Sequence, residues 1–173
     1  YINRGRAYDK KGDYDHAIAD YDQAIRLNPN DPDVYINRGN AYDKKGDYDQ
    51  AIADYDEAIR LNPKDANAFI NRGVTYDNLG DYDQAMADYD QAIDLDPTYA
   101  AAYLDRGMAY ESKKDIAKAV SDYQKVQELN NDPHTTKLAK KKIDNLNPLK
   151  SGFGSNFMWF LIILFMIVFF FCE

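Results

Sequence analysis

Cysteine occurs once in the 173 residues, at Cys172, and tryptophan once, at Trp159. A single thiol excludes a disulfide framework. Histidine is nearly missing: His16 and His134 are the only two, and neither has a nucleophile at a suggestive spacing. The Asp-Tyr-Asp clusters lack the glycine and closing glutamate of a calcium loop. Gly152 and Gly154 precede an apolar run rather than a capped amphipathic helix, so they build no phosphate cradle. Positive charge is in deficit as well. Net charge is −8, and an acidic chain repels phosphate backbones, which argues against nucleic-acid partners. These absences predict a protein that is not an enzyme and carries no cofactor and no metal.

What is present is order at a fixed period. The stretch from Tyr35 to Asp49 has a near copy from Tyr1 to Asp15 and weaker copies from Phe69 to Asp83 and from Tyr103 to Ala117. A unit of this length cannot bury its own apolar face and must stack on neighbours. Glycine recurs at Gly5, Gly39, Gly73 and Gly107, and tyrosine one helical turn later at Tyr8, Tyr42, Tyr76 and Tyr110. Alanine follows at Ala17, Ala51, Ala85 and Ala119, then tyrosine at Tyr21, Tyr55, Tyr89 and Tyr123. Pro29, Pro63 and Pro97 close three units.

Local chemistry predicts two helices per unit. Asp31-Pro32 reads as an N-cap with proline at the first helical position. Gly12, Gly46 and Gly80 suit a left-handed helix end. Asp47 to Gln50 and Asp81 to Gln84 resemble capping boxes that open the second helix. The apolar and small residues recur at three-to-four spacing, so the tyrosines read as packing rather than redox chemistry.

These columns resemble the tetratricopeptide repeat, a helix-turn-helix unit, over residues 1–133. The resemblance implies an all-α solenoid of about four repeats, antiparallel helix pairs stacked in a right-handed superhelix. Its units are expected at 1–31, 32–65, 66–99 and 100–133. The first is incomplete, because Tyr1 enters partway into a first helix, so the chain is expected to be a piece of something longer. The fourth diverges: Lys114 replaces the turn glycine, Val126 an alanine, and Asn131 stands at the proline position. Residues 134–147 read as a basic capping helix with Leu138, Ala139, Ile143 and Leu146 on one side.

Residues 148–156 read as a flexible linker. Phe157 to Cys172 then runs without a charge, roughly 24 Å as a helix against a hydrocarbon core of about 30 Å. The expectation is a single-pass C-terminal transmembrane helix. Lys137, Lys140, Lys141, Lys142 and Lys150 upstream of it place the repeats on the cytoplasmic side. Two other readings stand beside this one. The tail is a mis-joined or out-of-frame segment, or it is buried against a partner or lies in the membrane interface.

At about 100° per residue, the first helix of 32–65 turns Tyr35, Arg38, Gly39 and Tyr42 inward. Ile36, Asn37, Asn40 and Lys44 face away, with Asp43 at the border. In proteins of the resembled family, stacked first helices line a concave channel that binds peptides. Carried over, that channel comprises Asn3, Arg6, Ile36, Asn37, Asn40, Asp43, Lys44, Ile70, Asn71, Asp77, Leu104 and Asp105. A side-chain amide both donates and accepts, so Asn3, Asn37 and Asn71 suit an extended peptide backbone of any sequence. This ladder resembles that of O-linked N-acetylglucosamine transferases, and Asp105 breaks it. Ile2, Ile36 and Ile70 stand where chaperone adaptors that clamp a terminal carboxylate use cations or polar groups. The expected partner is therefore a neutral or basic peptide.

One column departs from the resembled pattern. Arg4, Arg38, Arg72 and Arg106 sit on the inward stripe, where a guanidinium without a counter-charge is costly. Asp20, Asp54, Asp88 and Asp122 follow them in turn, always at the same spacing, which predicts an Arg–Asp pair within every unit. The leading expectation for function is a membrane-tethered, non-enzymatic scaffold that holds an extended peptide or a partner helix in the groove. The alternatives are a piece of a larger enzyme, for example one like a glycosyltransferase, and a structural protein that self-associates end to end.

Overall fold

The computed structural model describes residues 1–146, and among them it forms nine α-helices and no strand. In chain order these are α1 (Ile2–Lys10), α2 (Tyr14–Leu27), α3 (Pro32–Lys45), α4 (Tyr48–Leu61) and α5 (Ala66–Leu79). Then come α6 (Tyr82–Leu95), α7 (Ala100–Ser112), α8 (Ile116–Leu129) and α9 (Pro133–Leu146). They pair as hairpins α1–α2, α3–α4, α5–α6 and α7–α8, and each second helix leans on the helix that follows it.

The helix ends follow from side-chain and backbone chemistry. Asp31 accepts from the Asp33 N–H at 3.1 Å, and Asp65 from the Asn67 N–H at 3.0 Å, which satisfies donors that the first turn leaves unpaired. Gly46 ends α3 at φ 88° in the left-handed region, where a side chain is unfavourable. Lys114 occupies the same place in the fourth unit and holds φ 64° in spite of its Cβ. The second-helix caps are simpler than capping boxes. Asp13, Asp81 and Asp115 accept from the backbone N–H of His16, Gln84 and Lys118, whereas Asp47 makes no side-chain cap bond.

The core sits between hairpins and is built from the predicted columns. Ala17, Ala51, Ala85 and Ala119 are fully buried, and Tyr21, Tyr55, Tyr89 and Tyr123 are no more than 1% exposed. At the end of the stack, Ala139 of α9 is buried with Tyr103, Leu104 and Tyr123, and Leu138, Ile143 and Leu146 pack on the same cluster. The last hairpin thus has its apolar face covered by α9.

Curvature is visible in which helices meet across repeats. First helices approach one another, α1 with α3, α3 with α5 and α5 with α7, and α7 meets α9. Among the described residues, no second helix of a hairpin approaches another second helix. The stack is tighter on the first-helix side, so that side is the inner wall.

The single-pass membrane localisation is corrected. No helix among the described residues is long and apolar enough to cross a membrane. The longest have 14 residues, roughly 21 Å of rise, and all carry charged side chains. The expected linker 148–156 and transmembrane segment 157–172 lie outside the described residues.

Candidate functional site

The arginine column is met by the expected aspartates in every hairpin. Arg38 donates from Nε to Asp54 Oδ2 at 2.8 Å and from Nη2 to Asp54 Oδ1 at 2.6 Å. Arg4 holds Asp20, Arg72 holds Asp88 and Arg106 holds Asp122 in the same fork. The third guanidinium nitrogen makes a contact that pairing within one unit does not predict. Nη1 of Arg38 donates to Asp22 of the preceding hairpin at 2.6 Å, and Arg72 and Arg106 repeat this with Asp56 and Asp90 at 2.5 Å. A signal was there, because Asp22, Asp56 and Asp90 stand as far before each arginine as its first partner stands after it. A planar fork with spare donors suits this three-helix junction, and an ammonium does not.

Position in the stack sets the charge balance. Asp20, at the end, is held below the usual carboxylate range by its bond to Arg4. Asp54 lies between hairpins, where burial pushes it up against the pull of Arg38, and the charge of Asp22 adds to that push.

On the inner wall, a depression of about 340 Å³ is lined by Arg6 of α1, by Asp33, Ile36 and Asn37 of α3, and by Asn67 and Asn71 of α5 with their cap Asp65. Four predicted site residues, Arg6, Ile36, Asn37 and Asn71, thus meet at one place. Asn3 is exposed on α1 and lines a separate depression with Tyr1 and Leu27.

Other predicted residues have internal duties. Ile70 and Leu104 are only 6% and 7% exposed and pack in the core between hairpins. Their expected place as groove walls is corrected, because Ile70 shares its buried cluster with α7 and Leu104 with α9. Asn40 Oδ1 accepts from the Tyr55 hydroxyl at 2.7 Å. The Asn37 amide donates to the Asp33 carbonyl of its own helix at 2.6 Å. Lys44 holds both carboxylate oxygens of Asp9, at 2.9 and 2.8 Å, and Asp43 accepts from Thr75 at 2.7 Å. Asp77 and Asp105 are half-buried. Burial raises the Asp77 carboxyl, and burial together with the charge of Asp77 pushes Asp105 up to about 7.

Helical hairpins bound edge to edge around a tighter inner wall define an α-solenoid. Residues 5–46 match the TPR repeat family, and residues 32–65, 66–99 and 100–133 match the tetratricopeptide repeat. The chain belongs to the tetratricopeptide repeat family. No curated protein matches it. Among solved structures, it is similar to MamA, with 25% identity and a TM-score of 0.73 over 84% of each chain. It is also similar to the TPR domain of Arabidopsis OM64, with 32% identity and a TM-score of 0.60 over 66% of this chain and 94% of that one. A third similar structure is the first TPR of Spaghetti (RPAP3) bound to the HSP90 peptide SRMEEVD. It shows 31% identity and a TM-score of 0.59 over 66% of this chain and 92% of that one.

Proposed function

We propose that the chain is a non-enzymatic interaction scaffold whose inner wall holds an extended segment of a partner protein. The observation that carries this is the depression that joins Arg6, Ile36, Asn37 and Asn71 from three successive first helices. A patch of amide, guanidinium and aliphatic groups offers donors, acceptors and an apolar floor to a peptide backbone. The bound peptide of the Spaghetti (RPAP3) structure supports a peptide as the ligand class. The terminal-carboxylate chemistry of that peptide is not carried over. Asp33 and Asp65 rim the depression, Asp77 and Asp105 lie further along the same wall, and the whole chain carries −8. The partner segment is neutral or basic.

Affinity capture from a lysate with the intact protein, compared with an Asn37→Ala/Asn71→Ala variant of equal helicity, tests the groove. The groove reading predicts that specific prey disappear from the variant. Identical prey from both proteins would overturn it.

A further inference from the structure

Tyr99 interrupts the regularity of the inner wall. In the two units before it the same column carries Asp31 and Asp65, and each caps its first helix by accepting a backbone N–H. Tyr99 makes no side-chain cap bond at the start of α7. It reaches back across the unit boundary instead, and its hydroxyl donates to Asn67 Oδ1 at 2.7 Å. Asn67 Nδ2 donates in turn to Asp65 Oδ1 at 3.1 Å, so both ends of this amide are fixed. Burial, with the charges of Asp105, Asp65 and Asp96 adding to it, raises the Tyr99 phenol and keeps its donor proton in place.

The repeat allows two junctions to be compared column by column. Between α3 and α5 the depression is lined by Ile36 together with Asp33 and Asp65. The corresponding residues between α5 and α7 are Ile70, Asn67 and Tyr99. Two carboxylates, which only accept when ionised, are thus replaced by a hydrogen-bonded amide and phenol. The isoleucine changes with them, from half-buried at Ile36 to 6% exposed at Ile70. Ile36 packs on Tyr35, Ala58 and Ala68, and Ile70 is clustered with the matching Phe69, Ala92 and Ala102. The later cluster adds Ala66, Val74 and Tyr99. Ala66 and Val74 belong to the helix that carries Ile70, so Tyr99 is the addition that comes from the next unit.

We infer that Tyr99 plugs the place where the peptide groove would otherwise continue, so that the groove ends at α5. The inference rests on the groove reading above and sets the length of the segment held there. From α1 to α5 the first helices span two interaxial steps of about 8–10 Å each. An extended chain advances about 3.3 Å per residue, so this stretch takes about six residues. Opening the next junction adds one step, about three residues more.

The test uses two capped random peptide libraries without Asp or Glu, one of six residues and one of nine, captured on the full chain. Wild type should hold both lengths equally, because the added residues reach no further subsite. Tyr99→Ser removes the ring and keeps a good N-cap without adding charge. At equal helicity it should hold nine-residue peptides about tenfold better than six-residue ones, the scale of covering part of one isoleucine. Tyr99→Phe should behave as wild type, since its ring stays in the cluster. A nine-residue advantage already present in wild type, or absent from Tyr99→Ser, would overturn the plug. Loss of both lengths in Asn37→Ala/Asn71→Ala keeps the groove standing whichever way Tyr99 behaves. Binding of neither length by wild type overturns the groove, and the plug's role with it.

Discussion

The Tyr55 ring lies against the backbone of Gly39 so closely that a Cβ on residue 39 would stand 2.7 Å from its Cε1. Tyr55 is 1% exposed, so the ring has no space into which to retreat. The same contact recurs at Gly5, Gly73 and Gly107 with Tyr21, Tyr89 and Tyr123. It fixes how near the two helices of a hairpin come.

Gly39→Ala should therefore destabilise the chain by about 1–3 kcal/mol through overpacking. Its urea midpoint should fall with little change in slope. Gly39→Ala in a Tyr55→Phe background should cost the same, because the clash is with ring carbons and not with the hydroxyl. A neutral Gly39→Ala would show that the hairpin opens more easily than this geometry implies.

Arg38→Met leaves Asp54 buried at 5% exposure without its two donors and releases Asp22 across the repeat boundary. Removing one partner of a buried pair costs about 3–5 kcal/mol. Arg38→Lys should recover only part of the loss, because an ammonium cannot fork to Asp54 and reach Asp22 together. Thermal melts of both variants beside wild type check the order.

Lys114→Gly should stabilise by about 0.5–1 kcal/mol, since φ 64° is a strained place for a side chain and an ordinary one for glycine. Lys114 is exposed, so the change takes nothing from the core. A chemical-denaturation series measures the gain.

Asp105 links stability to pH. Its carboxyl is raised to about 7 in the folded chain and returns to about 3.9 when unfolded. Between those values the folded state binds the extra proton, so stability falls as pH rises through the window. Asp105→Asn should leave stability unchanged near the bottom of the window. Above its top the variant should be more stable than wild type by about 1–3 kcal/mol. Equal differences at both ends would show that Asp105 titrates normally.

Much of this was legible in one sequence because a repeat prints its own controls. The period itself, the glycine and tyrosine columns and the constant step from Arg38 to Asp54 each appear several times over. Burial of Ile70 and Leu104 was not legible. At one helix's own periodicity they face outward, and only the next helix along the stack turns that face into core. The link from Arg38 back to Asp22 escaped for the same reason, since it crosses from one unit to another.

The amino-acid order alone determined the helices and the pairing within each hairpin, because those depend on neighbours at most a few turns away. The tertiary structure alone decided which outward faces were covered. Those outcomes depend on how hairpins lean together across unit boundaries, which local sequence does not describe.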